Sequence, residues 1–241
     1  PRVLALGFVV LALAGGALLK LPWATTAPIS WSEALFTATS AVTVTGLVVV
    51  DPGTALTGLG QLIVLALIHA GGVGLMIFGV LALLATGGRP PLRQQLLVAE
   101  AFGHTELRDV ASVARATAVL VLGCEGIGAL LLGARFALDM PLGEAAWQGV
   151  FHAVSAFNNA GFSLFADSLV GYADDPVINV VVPGLFIVGG LGFLVLADPG
   201  LLRGHGTLHS RLMVRGTVVV SLLSMGLIWW LERGNPATLG G

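Results

Sequence analysis

Long apolar stretches alternate with short polar ones along this chain. The apolar stretches cover residues 3–21, 56–85, 110–138, 177–202 and 212–231. Each is long enough to cross a hydrocarbon core about 30 Å thick, so the pattern predicts five membrane-spanning helices. Two shorter elements, residues 31–42 and 143–157, have helical character but cannot span a bilayer. We expect each to be a re-entrant pore helix that enters and leaves the membrane on one side.

The composition favours a membrane location. Of the 241 residues, 56% are hydrophobic and only 10% are charged. So few charges cannot cover a soluble surface, and a lipid bilayer is the expected surrounding. The first apolar stretch has neither an initiator Met nor a convincing small-residue cleavage site, so we interpret it as a spanning helix and not a signal peptide. No nucleic-acid partner is expected.

Basic residues cluster in and beside two polar linkers. The arginines concerned are Arg89, Arg93, Arg108, Arg115, Arg203, Arg211 and Arg215. The positive-inside rule then places residues 87–109 and 203–215 in the cytoplasm of a multi-pass protein of the cytoplasmic (inner) membrane. The acidic residues Glu33, Asp51, Asp139, Glu144, Asp167, Asp174 and Asp175 would face outside. Such a face attracts cations toward a pore mouth, although solvated loop carboxylates are the commoner explanation.

A sequence motif occurs twice. The segment Ser-Ala-Val-Thr-Val-Thr-Gly at residues 40–46 returns as Ser-Ala-Phe-Asn-Asn-Ala-Gly at residues 155–161, an offset of 115 residues. Gly-Gly-Val-Gly at residues 71–74 likewise returns as Gly-Gly-Leu-Gly at residues 189–192, an offset of 118 residues. A unit of helix, re-entrant loop and helix, present in two copies, explains both matches.

The repeat defines the expected organisation of an all-α membrane protein. Two complete units occupy residues 1–86 and 112–202, and each contains one re-entrant pore loop. Cytoplasmic linkers occupy residues 87–111 and 203–211, and residues 212–241 form the first helix of a truncated third unit. This organisation predicts a fragment of a larger protein.

Two local features allow more than one interpretation. Alternation and β-branching in residues 43–45 and 48–50 are compatible with a strand, but an isolated strand between spanning helices has nothing to pair with, so we favour an extended pore loop. The Gly-Gly-x-Gly segments have no following Lys-Ser of a phosphate loop, and small residues for close helix packing explain them better. A bend in the helix at these glycines is the open alternative.

The motifs closely resemble those of the Trk/Ktr/HKT potassium transporters. The resemblance is carried by residues 39–47, residues 155–163 and the two Gly-Gly-x-Gly helices, and it covers essentially the whole chain. Within this superfamily the chain is similar to the N-terminal half of a bacterial Trk or Ktr membrane subunit. The resemblance implies an M1, P-loop, M2 unit of the potassium-channel type, repeated four times around a pore.

Potassium uptake across the cytoplasmic membrane is the function that this resemblance implies. Transport would be channel-like or coupled to sodium ions or protons, and no covalent chemistry is required, so the chain is not expected to be an enzyme. The implied partners are the lipid bilayer, the remaining half of the transporter, a second copy in a homodimer and a cytosolic nucleotide-binding regulatory subunit that docks on the Arg-rich linkers.

The expected site is a selectivity filter lined by backbone carbonyl oxygens. One quadrant would come from Thr43, Val44, Thr45 and Gly46, and a second from Asn158, Asn159, Ala160 and Gly161. Several such oxygens together can replace the hydration shell of potassium. Glycine permits positive φ and lets carbonyls face the axis without a side-chain clash. Gly46 favours potassium by analogy, because family members with serine in the first loop can favour sodium.

Four ionisable residues are placed at membrane depth by the pattern, and such residues are functional candidates by default. They are Glu125, His69, His152 and Asp198. We expect His152 to brace the second filter loop and Glu125 to pair with another helix, with a role in coupling as the alternative. No metal beyond potassium in the filter is expected. Two other functions stay open: a nonconducting fragment or interaction module, and an intramembrane enzyme that uses Glu125, Asp198 or His69.

Overall fold

The computed structural model describes residues 2–72, 110–196, 198 and 206–235, and helices dominate them. The α-helices are α1 (Arg2–Leu19), α2 (Trp31–Val42), α3 (Pro52–Ala55), α4 (Gly58–Gly72), α5 (Val110–Phe136), α6 (Leu142–Phe157), α7 (Pro176–Leu191), α8 (Phe193–Leu196) and α9 (Leu208–Glu232). A short 3₁₀ helix covers Val170–Tyr172. An isolated bridge between Thr25 and Leu56 is the β-pairing found in these residues. The helical architecture agrees with the expected all-α fold.

Apolar helices of two lengths are present. Within the described ranges, Thr117–Phe136 and Leu208–Glu232 are long and apolar enough to cross a membrane. Ala5–Leu19, Gly58–Gly72 and Pro176–Leu191 are shorter apolar helices. The predicted spans over residues 56–85 and 177–202 and the linker over residues 87–109 extend outside the described residues. The total of five spanning helices therefore stays a prediction.

The two predicted pore helices form where the sequence indicates. α2 has the predicted bounds, and α6 begins at Leu142, one residue earlier than expected. α2 starts with a capping box, in which Ser30 Oγ accepts from the Glu33 N–H at 3.2 Å and Glu33 Oε2 accepts from the Ser30 N–H at 2.6 Å. This exchange satisfies backbone donors that a helix start otherwise leaves unpaired.

Small residues allow α2 and α6 to pack closely on their neighbours. α2 contacts α1 and α4, and its Ala34, Ala38 and Ala41 are fully buried. α6 lies against α5, where a Cβ added to Gly149 would lie 2.6 Å from the carbonyl oxygen of Ala129 and from the backbone nitrogen of Gly133. The backbones of α5 and α6 can approach this closely only because position 149 has no side chain.

Backbone proximity separates the chain into two compact units, residues 1–190 and 191–241. The first unit contains two hydrophobic clusters, one centred on α1, α2 and α4 and the other on α5, α6 and α7. In the second unit, α9 begins at Leu208, four residues before the predicted start at 212. The earlier start follows from an N-cap, because Thr207 Oγ1 accepts from the Ser210 N–H at 3.2 Å.

Candidate functional site

The loops that follow α2 and α6 have the same backbone hydrogen bonds. In the first loop, the N–H groups of Thr43, Val44 and Thr45 donate to the carbonyls of Thr39, Ala41 and Ser40 at 2.9, 3.2 and 2.9 Å. In the second loop, the N–H groups of Asn158, Asn159 and Ala160 donate to the carbonyls of Val154, Ala156 and Ser155 at 3.1, 3.0 and 2.8 Å. Each bond in one loop has its counterpart in the other at the offset of 115 residues.

Left-handed backbone conformations occur at matching positions of the two loops. Val44 has φ of 55° and Asn159 has φ of 58°, while Gly46 has φ of 80° and Gly161 has φ of 71°. Positive φ costs a residue with a Cβ about 1 to 2 kcal/mol, and such strain is typical of functional loops. Residues of positive φ therefore alternate with residues that lack it over 43–46 and 158–161.

The carbonyl oxygens of both loops accept no hydrogen bond from the part of the chain that the structure describes. Within the described residues, no hydrogen bond reaches the carbonyl oxygens of residues 43–46 or 158–161. The sharp turns at the ends of α2 and α6 use the N–H groups of these residues and not their carbonyls. Eight backbone acceptors therefore stay available to a ligand that offers positive charge.

The two loops meet at their glycines. A Cβ added to Gly46 would lie 2.5 Å from the carbonyl oxygen of Ala160 and 3.1 Å from Cα of Gly161. A Cβ added to Gly161 would lie 3.4 Å from Cα of Gly46. Glycine is required at Gly46 for two reasons, the positive φ and the close approach of the neighbouring loop. The fold thus brings Gly46 of the first segment next to Ala160 and Gly161 of the second.

A glycine in each following helix lies against the end of the pore helix of the same repeat. A Cβ added to Gly71 of α4 would overlap the carbonyl of Val42, and one added to Gly189 of α7 would overlap the carbonyl of Phe157. Close packing therefore explains the first glycine of each Gly-Gly-x-Gly segment. Gly192 has φ of 80° and follows the last residue of α7, so a local change of backbone direction occurs there as well.

His152 is buried behind the second loop. Its Nδ1 donates to the Gln148 carbonyl at 2.8 Å, which leaves Nε2 to accept from Ser163 Oγ at 2.9 Å. The ring stacks on Phe165 at a centroid distance of 5.0 Å. These contacts connect α6 to the segment that leaves Gly161, and a bracing role of His152 for the filter stays a prediction. His152 also lines a pocket of about 290 Å³ beside Asn159 and Gly161.

Glu125 lies in the middle of α5 and is 5% exposed. Its Oε1 accepts from Asn158 Nδ2 at 2.9 Å and lies 3.3 Å from His69 Nδ1. The expected pairing of Glu125 with another helix is therefore present. The sequence identified Glu125 and His69 separately but did not place them in contact.

The chain is similar to known transport proteins over most of its length. The TrkH family, described as cation transport proteins, matches residues 8–230. The chain belongs to the TrkH family. The Ktr system potassium uptake protein B of Bacillus subtilis is 43% identical to it over 242 residues, and the protein of the same name from Vibrio alginolyticus is 38% identical over 244 residues. Each alignment covers 100% of this chain and 54% of the relative.

A third relative of this TrkH-family chain has a broader name. The potassium/sodium uptake protein NtpJ of Enterococcus hirae is 34% identical over 244 residues, which cover 99% of this chain and 53% of the relative. The predicted membership of the Trk/Ktr group is thus confirmed. The chain spans about half the length of the curated relatives it matches.

Carboxylates of the predicted outer face have structural partners in this TrkH-family chain. Arg135 at the end of α5 pairs with Asp139 at 2.6 Å and also with Asp175. The other carboxylate oxygen of Asp175 accepts from the N–H groups of Ile178 and Val177 at 3.0 and 2.9 Å. The bond from Ile178 at the start of α7, assisted by Arg135, holds the pKa of Asp175 below its ordinary value.

Two more acids of that face begin helices. The backbone N–H of Ser30 lowers the pKa of Glu33 within the capping box. Asp51 Oδ1 accepts from the Gly53 N–H at 3.0 Å and caps α3. Helix capping and ion pairing therefore account for these carboxylates without an ion-attracting role.

The remaining intramembrane candidate of the TrkH-family chain is Asp198. Its Oδ2 accepts from the Thr207 N–H at 2.8 Å, just before α9, within the second compact unit. Within the described residues, no group of three or more His, Cys, Asp and Glu side chains could hold a metal ion.

Sequence reasoning placed Ser155 in the repeated motif without a role, and it missed the Gln61–Trp147 contact. Ser155 Oγ donates to the Phe162 carbonyl at 2.6 Å and so ties the second pore helix to the far side of its loop. Trp147 Nε1 of α6 donates to Gln61 Oε1 of α4 at 2.6 Å and links the two repeats. A polar residue inside an apolar helical stretch was the available signal for Gln61.

Proposed function

We propose that this chain supplies two quadrants of a carbonyl-lined filter through which the complete protein takes up potassium across the cytoplasmic membrane. The observation that carries the proposal is the pair of matched loops: they contact each other at Gly46 and Gly161, both contain left-handed residues, and their carbonyls accept no hydrogen bond from the described residues. Backbone carbonyls in this number can replace the hydration shell of a potassium ion. The names of the relatives, potassium uptake proteins, support the choice of ion.

The pore helices add a favourable electrostatic contribution. α2 and α6 both end where the loops begin, at Val42 and Phe157. The carboxyl end of a helix has a partial negative charge of roughly half an electron, which favours a nearby cation. Both helices therefore stabilise a cation beside the loops. This stabilisation offsets part of the free energy that the cation loses when it gives up its hydration shell.

The proposal extends to topology and partners. The Arg-rich linkers would face the cytoplasm and bind a nucleotide-binding regulatory subunit, and two copies of the complete protein would form a homodimer. The second half of the protein would supply the other two quadrants. Sodium ions or protons are the proposed coupling ions, and the potassium/sodium name of one relative supports sodium.

The proposal is tested by an uptake measurement in cells that lack potassium uptake. The complete gene product is expressed there, and the uptake of potassium, rubidium and sodium is measured. We expect Gly46→Ser and Gly161→Ser to lower the ratio of potassium to sodium uptake about five- to thirty-fold, the effect of 1 to 2 kcal/mol. The effect should be larger at Gly46, because its new Cβ would lie 2.5 Å from the Ala160 carbonyl. Gly123→Ser in α5 is the matched control, since its added Cβ would have no described atom within 4 Å apart from its own stretch of helix.

Two results would count against this function. A parent protein that restores no potassium uptake, although it is present in the membrane, would exclude potassium transport. A parent that is active and whose two loop variants keep the wild-type ion ratio would show that the selectivity filter lies elsewhere.

A further inference from the structure

The side chain of Asn158 has one well-defined position at the start of the second loop. Its Nδ2 donates to Glu125 Oε1 and to the Val154 carbonyl, both at 2.9 Å. Gly72 of α4 makes room for it, because a Cβ on Gly72 would overlap the Asn158 side chain. The Asn158 amide is therefore held by α5, by its own pore helix and by a helix of the first repeat.

Among the residues that the structure describes, the first loop has no comparable attachment to a neighbouring helix. Thr43 is the counterpart of Asn158, and its Oγ1 donates to the Thr39 carbonyl at 2.7 Å and contacts Thr45 Oγ1 at 2.7 Å. All of these groups belong to α2 or to the loop itself. Within the described part of the chain, the Thr43 side chain thus makes local hydrogen bonds, whereas Asn158 bonds to a carboxylate that another helix supplies.

Burial of the Glu125 carboxylate inside a helix interface costs free energy. A buried ion loses hydration, and an apolar side chain of similar volume often packs a helix interface equally well. The contacts of Glu125 Oε1 with Asn158 and His69 offset part of this lost hydration. Its contacts are directed at the loop and at the first repeat, so helix packing alone does not account for them.

We propose that Glu125 is a positioning residue for the second loop: it fixes the Asn158 side chain, and through it the first carbonyl of that quadrant, and so sets ion selectivity. His69 connects the same carboxylate to α4, so the loop is aligned relative to the first repeat. This inference rests on the proposed filter function, because it assigns Glu125 a part in the selectivity of that filter.

The test uses the complete gene product and measures potassium, rubidium and sodium uptake at equal amounts of protein in the membrane. We expect Glu125→Ala to lower the ratio of potassium to sodium uptake about five- to thirty-fold. Glu125→Gln keeps an acceptor oxygen for Asn158 and should preserve a ratio near that of the parent. Glu144→Gln is the matched control, since Glu144 lies exposed at the other end of α6.

A double-mutant cycle separates positioning from general stabilisation. If Glu125 acts through Asn158, the double variant Glu125→Ala/Asn158→Ala should show the ratio of Asn158→Ala alone. Multiplied effects of the two substitutions would overturn the inference. If Glu125→Ala does not reach the membrane, Glu125→Leu replaces it, because leucine fills the site without leaving a cavity.

The outcomes distinguish this inference from the proposed function. A selective parent whose Glu125→Ala or Glu125→Leu variant loses potassium and sodium uptake equally, with an unchanged ratio, would overturn the role of Glu125 and leave the filter intact. A parent without selective potassium uptake would overturn the filter and this inference together. A lowered ratio that Glu125→Gln restores supports both.

Discussion

Ser40 and Ser155 occupy equivalent positions in the two pore helices but have different surroundings. Ser155 Oγ donates to the Phe162 carbonyl at 2.6 Å, whereas Ser40 Oγ is buried and has no hydrogen-bond partner among the described residues. An identical residue in the repeated motif therefore has two different energetic roles. A buried hydroxyl without a partner destabilises the folded protein, whereas a buried hydroxyl that makes a hydrogen bond stabilises it.

We therefore expect the same substitution to change the stability differently at the two positions. Ser155→Ala should lower the free energy of unfolding by about 1 to 2 kcal/mol, because the Phe162 carbonyl loses its donor. Ser40→Ala should be neutral or slightly stabilising, because it removes an unsatisfied hydroxyl. Thermal unfolding of the purified protein in detergent measures both, with each variant as the control for the other. Equal destabilisation by the two substitutions would contradict this interpretation.

At the scale of elements, a glycine of the following helix packs directly on the last carbonyl of α2 and of α6. Gly71 and Gly189 lie against the carbonyls of Val42 and Phe157, the last residues of α2 and α6. Any side chain at these glycines must separate the two helices. Because the loops begin at those carbonyls, such a separation would displace the loops as well.

Gly71→Ala and Gly189→Ala should therefore reduce both stability and potassium uptake. Overpacking of this kind typically costs about 1 to 3 kcal/mol. Gly184→Ala, also in α7, is the matched control, because no described atom lies within 4 Å of its added Cβ. Alanine there should raise the stability by up to about 1 kcal/mol through helix propensity. Thermal unfolding and potassium uptake of the three variants check this, and a harmless Gly189→Ala would refute it.

At the scale of the whole molecule, contacts between the repeats set the position of one loop relative to the other. Trp147 of α6 donates to Gln61 of α4, and the Gln61 side chain donates in turn to the Pro52 carbonyl at 3.2 Å. Gly53 lies against the Leu164 carbonyl, in the segment that leaves the second loop. The Trp147–Gln61 contact joins residues 86 positions apart, and the Gly53–Leu164 contact also connects the two repeats.

Trp147→Phe tests the contribution of this connection. Phenylalanine retains most of the apolar surface but leaves buried Gln61 Oε1 without its donor, which should cost about 1 to 3 kcal/mol. Trp23→Phe is the control, since Trp23 is 71% exposed. A lower unfolding temperature for Trp147→Phe alone is the expected result, and equal stability of both variants would show that the contact is dispensable.

Much of the local structure could be predicted because it depends on neighbouring residues. The bounds of α2 follow from the Ser30 and Glu33 capping signal and from a motif that ends in glycine. The left-handed conformation of Gly46 and Gly161 is the one that glycine adopts most readily. Val44 and Asn159 share that conformation. Because the two loops have different residue types at this position, the residue type does not predict it for both. The backbone turn imposes it on them.

The sequence by itself determined the helical architecture, the family and the two segments that carry the motif, because hydrophobic spacing and local backbone preferences act over a few residues. Only the tertiary structure decided that Gly46 lies beside Gly161, that Gly71 and Gly189 support the pore helices, and that His69, Glu125 and Asn158 converge. Those contacts depend on how helices from different repeats pack, and packing selects partners by shape and distance in space, which residue spacing along the chain does not encode directly.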